Sequence, residues 1–236
     1  FFANRAFEGT NLYTAEDMPD IDYLLISHDH WDHLDYATAT ALRSKVGQVV
    51  CPLGVGAHFE AWGYGKETVF EGDWYSALEG EEGFAIHILP ARHFSGRSLT
   101  RNKTLWAGFA LVTPERRIFF SGDSGYGKHF AEIGARFGGF DLAMLDCGQY
   151  DENWRYVHMM PEDTAQAAED LHARALLPGH MGKFAIAYHT WDDPFKRIVA
   201  ASRGKPYRLL LPLIGEPVAL PVASDGELSR WWEAGR

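Results

Sequence analysis

Six consecutive residues, His28-Asp29-His30-Trp31-Asp32-His33, hold four side chains that bind divalent cations, in the order H-x-H-x-D-H. Neutral imidazole and carboxylate are the donors that zinc and similar ions take. Alternation along an extended loop would aim His28 and His30 to one side and leave Asp32 and His33 to reach a second point nearby. A polar surface loop with clustered histidines is the plainer reading, but an H-x-H alone is common and the six-residue pattern is not. Three more donors recur downstream: His93, Asp123 and His180. Taken singly, each is as easily a hydrogen-bonded surface residue. Taken together they suit a metal centre, provided the chain gathers them. Arg97, Arg101 and Lys103 follow His93 as a basic stretch able to meet an anionic headgroup or phosphate, although a solvated charged loop is the simpler account.

The gathering depends on where strands end. Ile21 to Ser27 (IDYLLIS) reads as a buried strand running directly into the histidine cluster, followed by a helix from about Tyr36 to Arg43. Val49 to Pro52 is the next strand and Val55 to Trp62 the next helix. TVFEG, DWYSAL and FAIHILP carry β-branched and aromatic residues between Gly and charged punctuation, the pattern of a strand meander. Leu105 to Val112 and Arg117 to Ser121 flank the turn Thr113-Pro114-Glu115. A helix over Lys128 to Phe137 and a strand over Phe140 to Asp146 follow. Pro161 opens a helix running to about Ala173, with Glu162 and Asp163 at its positive end. Ala175 to Pro178 is a last buried strand, and Pro194 opens a further helix. His93 follows the FAIHILP strand, Asp123 follows RIFFSG and His180 follows ALLPG, so all three sit where loops leave a sheet edge and ligands converge. The element order predicts an α/β sandwich of sheets covered by helices, as one domain over residues 1–236.

The chain has 236 residues, 46% hydrophobic and 23% charged, which excludes disorder and a minimal disulfide scaffold. A formal net charge of −10 repels a phosphate backbone, so no nucleic-acid partner is expected. Two cysteines, Cys51 and Cys147, form no framework and suit a reducing compartment. Cys147, one residue past a strand, reads as a buried apolar residue. No stretch approaches the roughly 20 apolar residues that span a bilayer. The first residues, Phe1-Phe2-Ala3-Asn4-Arg5, lack both a Met and a signal-peptide layout. A cytoplasmic location and a chain that begins inside a longer protein are the resulting expectations.

The ordered pattern of H-x-H-x-D-H, then His, then Asp, then His, each after a strand, resembles the metallo-β-lactamase superfamily. Within it, Pro19 to about Ala187 is most similar to the branch containing N-acyl phosphatidylethanolamine-hydrolysing phospholipase D and its bacterial relatives. LISHDHWDHLD, FFSGDSGY, EIGARFGGFDLAML, HMMPEDTAQAAEDL and GHMGKFA carry that resemblance. It implies an αββα sandwich. It also implies His28, His30 and His93 on one metal, Asp32, His33 and His180 on the other, and Asp123 bridging both. His158 would lie in the active-site pocket for substrate positioning or proton transfer, with a structural hydrogen bond at the helix entry as the competing account. Tyr126, Tyr150 and Trp154 would wall the pocket, or simply pack. His58, His87, His129, His172 and His189 match no motif; His58 and His172 are expected inside helices and His87 inside a strand. The branch has strands and a strand-end Asp-Pro ahead of the segment matching Phe2-Ala3-Asn4-Arg5, whereas only 27 residues precede His28 here. The amino-terminal strands are therefore expected to be missing from this chain.

The implied activity is that of a dinuclear zinc hydrolase, with Mn²⁺ or Fe²⁺ as alternatives, using a metal-bridging hydroxide in place of a Ser or Cys nucleophile. Asp32 and His158 are its catalytic candidates beside the metals. A phosphodiester, phospholipid-like or small and anionic, is the expected substrate. A lactone or other carbonyl ester is the alternative, since substrate choice lies in the pocket. A diiron redox protein would place a carboxylate where His30 stands, and a non-catalytic binding module would have lost ligands. Peripheral membrane contact fits a lipid substrate, although no basic amphipathic helix is evident. No motif speaks to oligomeric state.

Overall fold

A computed structural model of the chain describes residues 6–97, 99–221 and 228–234. The expectation about Phe2-Ala3-Asn4-Arg5 lies outside the described residues. The chain runs β1 (Ile21–Leu25), α1 (Tyr36–Leu42), β2 (Val46–Pro52), α2 (Gly56–Ala61), β3 (Val69–Gly72), β4 (Ala77–Glu79), β5 (Ala85–Leu89), β6 (Gly108–Val112) and β7 (Arg117–Phe120). It continues through α3 (His129–Phe137), β8 (Leu142–Asp146), α4 (Pro161–Asp170), β9 (Ala175–Gly179), α5 (Asp193–Ala201) and β10 (Arg208–Leu209). Strands β1-β2-β3 form a parallel three-stranded sheet. The other sheet has the order β10-β9-β8-β7-β6-β5-β4, antiparallel from β4 to β7 and parallel from β7 to β10.

Side-chain alternation along the strands produces the layers. Val50 of β2 faces Ile86, Ile88 and Phe109 of the larger sheet, and Tyr23, Leu25 and Phe70 pack around that contact. The next residues over, Val49 and Cys51, point the other way onto Leu34, Ala39 and Phe59 under α1 and α2. On the far side, Ala110, Phe119, Ala143 and Leu145 meet Phe130, Ile133, Ala165, Ala168 and Ile198 of α3, α4 and α5. The result is helices, sheet, sheet, helices: the expected αββα sandwich. Cys51 and Cys147 are both buried free thiols, and burial raises both thiols far above the usual range. No helix among the described residues is long and apolar enough to cross a membrane.

Two local expectations are corrected. Val69–Gly72 does not join a meander with its successors; it adds in parallel to β2 across the α2 crossover, and the antiparallel run starts at β4. The α4 helix ends at Asp170 rather than near Ala173, and His172 lies past it with a left-handed φ of 50°. It is therefore not a helix-interior residue.

Candidate metal centre

Every candidate ligand leaves the same rim of the sandwich. The His28–His33 loop follows β1 of the smaller sheet, while His93, Asp123 and His180 follow β5, β7 and β9 of the larger. The seven side chains named from the sequence are brought together in overlapping groups, each with its donor atoms within 4.8 Å of one another. His30 Nδ1 lies 2.9 Å from His28 Nε2 and 3.1 Å from His93 Nε2. Asp32 Oδ2 lies 3.2 Å from His33 Nε2 and 3.3 Å from His180 Nε2. Asp123 stands between the groups: Oδ2 is 3.0 Å from His33 Nε2 and 3.8 Å from both His28 Nε2 and His93 Nε2, and Oδ1 is 3.6 Å from His180 Nδ1.

The donor set fits cations better than it fits itself. The Val157 carbonyl, which can only accept, lies 2.9 Å from His93 Nδ1. That nitrogen therefore carries the proton, and Nε2 turns a lone pair toward His30. His33 Nε2 and His180 Nδ1 are buried and make no aligned hydrogen bond, although carboxylate oxygens stand 3.0 and 3.4 Å away. Buried polar atoms without partners are costly, and a cation held by these lone pairs would remove that cost. His28, His30 and His93 would hold one ion and Asp32, His33 and His180 a second, with Asp123 reaching both.

The two groups differ in charge. Burial, reinforced by neighbouring histidines, holds His28 well below the ordinary histidine value, and burial holds His93 down at about 4. His30 is lowered for the same reason. Around His33 and His180 burial also opposes charge, but the carboxylates outweigh it. Asp123 and Asp32 raise His33 to about 9, and Asp123, Asp146 and Asp32 carry His180 well above the ordinary range. Asp123 and Asp32 are pulled well below the usual carboxylate range against their own burial, Asp123 by His180 and His33, Asp32 by its hydrogen bond to His180 and the close approach of His33. Without cations, one group is neutral and the other is a protonated ion-pair cluster.

His158 reaches the centre from the loop before α4. Its Nδ1 is 2.9 Å from Asp146 Oδ2, its ring stacks on His180 at 5.2 Å, and it lies 5.0 Å from His93. Asp146 was not singled out from the sequence. It is fully buried at the end of β8, and its other oxygen is 3.4 Å from His180 Nδ1. Its position mirrors Asp123, a carboxylate where a parallel strand ends, which is the signal that could have found it.

Supports lie one layer further out. Asp29 accepts from the Gly96 amide at 2.7 Å and pairs with His58 at 3.7 Å. The expected solvated basic loop is corrected at Arg97: its guanidinium donates to the carbonyls of Asp29 (2.9 Å) and Leu34 (2.5 Å) and stacks over Trp31 at 3.9 Å. It spans the histidine loop from beneath. Arg101 lies over Phe94 at 5.2 Å, and Lys103 is exposed. Gly148 is required by close approach: a Cβ there would stand 1.9 Å from the His180 carbonyl. Of the other unassigned histidines, His129 lies 3.3 Å from Ser124 Oγ, and burial holds it at about 4. His87 packs on Phe137.

A cleft of 220 Å³ opens at Asp32 and His180, walled by Gln149, Lys183, Phe184 and Ile186. Larger cavities of 880 and 580 Å³ lie elsewhere, at the β10 edge and between Phe7–Leu12 and Trp231, and neither is lined by a candidate ligand. Tyr126 and Tyr150 are packing residues: Tyr126 donates to Asp170 at 2.6 Å and stacks on Phe130, and Tyr150 donates to Asp193 at 2.5 Å. Trp154 donates to the Gln149 carbonyl and also stays outside the cleft lining.

An uncharacterized protein of Mycobacterium tuberculosis is 41% identical over 219 residues, which is 91% of this chain and 58% of that relative. An N-acyl-phosphatidylethanolamine-hydrolyzing phospholipase D of Caenorhabditis elegans is 33% identical over 183 residues, 72% of this chain and 51% of its own. The chain thus spans little more than half the length of these curated relatives. Among solved structures, an isothiocyanate hydrolase from Delia radicum gut bacteria superposes with a TM-score of 0.67 over 87% of this chain and 78% of that one. At 19% identity that likeness concerns the fold alone. Residues 3–181 match the family model for the beta-lactamase superfamily domain, and with the layers and the rim of His and Asp side chains in place the chain belongs to that superfamily.

Proposed function

We propose that the chain is a metal-dependent hydrolase holding two divalent cations, zinc by preference, and that it cleaves a small anionic or phospholipid-like phosphodiester. The single observation carrying this reading is Asp123, set between a three-imidazole group and an Asp-His-His group. Imidazole-rich donors favour zinc over harder ions, and His30 stands where an iron redox site would favour a carboxylate. The chemistry that bound divalent cations supply at such a cluster is Lewis acidity, which makes water acidic enough to attack near neutral pH and offsets charge building on the reacting oxygens. Asp32, kept ionised, orients the attacking water. His158 is fixed at Nδ1 by Asp146 and makes no hydrogen bond through Nε2 among the described residues. That leaves Nε2 to position substrate or move a proton to the leaving oxygen. Lys183 at the cleft supplies positive charge for an anionic substrate. The C. elegans relative's name, a phospholipase D, supports the phosphodiester over the carbonyl ester.

The test pairs metal analysis with a substrate panel. Two equivalents of metal per chain, with turnover of bis(p-nitrophenyl) phosphate exceeding that of lactones and β-lactams, is the expected result. Asp123→Ala should lose both metal and activity. Two metals without any diester turnover would refute the phosphodiesterase while leaving the metal centre, and lactone turnover alone would move the assignment to the carbonyl ester.

A further inference from the structure

Gln149 follows β8 by three residues, is buried, and holds a left-handed φ of 55°, a conformation that side chains beyond glycine rarely adopt without compensating contacts. The compensation is visible in its carboxamide. Nε2 donates to the carbonyls of His180 (3.3 Å) and Phe184 (3.0 Å), and Oε1 accepts from the amides of Ile186 (2.8 Å) and Ala187 (3.0 Å). All four hydrogen-bonding valences of the amide are used. Its orientation is forced, because the partners at one end can only accept and those at the other can only donate. The backbone is tied as well: the Gln149 amide donates to His189 Nε2 at 2.9 Å, and Trp154 Nε1 donates to the Gln149 carbonyl at 3.0 Å. The Thr190 carbonyl, 2.9 Å from His189 Nδ1, places the ring proton there and leaves Nε2 to accept.

The four carboxamide bonds all end on the segment that begins at His180 and walls the cleft. His180 itself has a left-handed φ of 61°, and the segment beyond it to Ile186 contains no helix or strand to hold it. We propose that Gln149 is a positioning residue: by binding the carbonyl of His180 and the chain at 184–187 with one carboxamide, it sets the placement of the His180 imidazole and of the cleft wall together. The metal half of this inference rests on His180 being a cation ligand, as argued above. The loop half stands on the hydrogen bonds alone.

Two variants and two readouts test it. Gln149→Leu keeps side-chain bulk and deletes the four carboxamide contacts while leaving the main-chain bonds to His189 and Trp154. Gln149→Gly deletes the same contacts while relaxing the left-handed backbone, so it guards against simple misfolding. In the metal-free protein, hydrogen exchange at the amides of Ile186 and Ala187 should accelerate at least about tenfold in both variants, because those amides lose their acceptor. In a stepwise Zn²⁺ titration, the step belonging to Asp32, His33 and His180 should weaken by about 10- to 100-fold, the range for lost ligand support, while the step belonging to His28, His30 and His93 stays within about twofold. Exchange rates equal to wild type would overturn the loop half. Equal weakening of both steps, as a merely structural residue would give, or no weakening of either, would overturn the metal half. Wild-type protein that binds no ion through His180 would instead fail at the underlying reading, with the exchange result still deciding the loop half.

Discussion

Cation binding at this rim should expel protons from one half of the centre and not from the other. His33 is raised to about 9 by Asp123 and Asp32, and His180 lies well above the ordinary histidine range among Asp123, Asp146 and Asp32. At pH 7 a group with that value for His33 is about 99% protonated. Placing a cation on His33 and His180 should therefore release close to two protons per chain. The work of removing the proton from His33 alone is about 3 kcal/mol at pH 7, from two pH units at roughly 1.4 kcal/mol each. Apparent affinity should accordingly climb with pH toward about 9. His28, His30 and His93 are already neutral at pH 7, so their step should release almost none. Calorimetric Zn²⁺ titrations in buffers of different ionisation enthalpy count the protons directly. Total release below about half a proton, or equal release in both steps, would refute the account of the charges around Asp123.

The same asymmetry governs the chelated protein. His33 has a raised folded-state value, so its stabilising contribution is complete below about 6.5 and disappears as pH rises through about 9. His93 is depressed to about 4, so its contribution is present above about 6.5 and disappears as pH falls toward 4. Melting temperature in EDTA should peak near pH 6.5; a profile that keeps rising to pH 9 would contradict the sign for His33, and one that keeps rising as pH falls to 4 would contradict the sign for His93. Asp146→Asn keeps the shape, but each Asp146 oxygen serves a histidine and a backbone amide, of Ser124 or Gly148, so one amide must face an NH₂ group. A loss of about 1–3 kcal/mol, or roughly 2–12 °C, is expected by thermal melting. Gly148→Ala drives a Cβ into the His180 carbonyl and should cost about 1–3 kcal/mol and weaken the His180 step, as read by melting and Zn²⁺ titration. Arg97→Ala frees two loop carbonyls and should lower metal affinity; Arg97→Lys should rescue it only in part, since an ammonium lacks the guanidinium fork that reaches Asp29 and Leu34 together.

Strand ends were legible because apolar β-rich runs break sharply into polar loops, and the donors follow those breaks at His28, His93, Asp123 and His180. The partner of a strand is not written in the strand. VFEG reads as β-structure, but only the three-dimensional crossover through α2 pairs it with β2 rather than β4. Asp146 has only its strand-end position as a signal, since the approach of His158 and His180 to it is set by the folding of two separate loops, and a glutamine such as Gln149 belongs to no catalytic pattern, its importance lying wholly in what surrounds it. Arg97 looked solvated because charge runs usually are; it is instead drawn under the loop by two carbonyls and the Trp31 face.

The donors hang from different sheets, four from the loop after β1 and three from the larger sheet. Ions gripping both sets would act as rivets through the two plies of the sandwich, resisting shear that the greasy contact around Val50 and Phe109 tolerates. Stripping them should soften the molecule mechanically along that seam, so that a chelator works as a lever on the whole architecture and not only as an inhibitor of its rim.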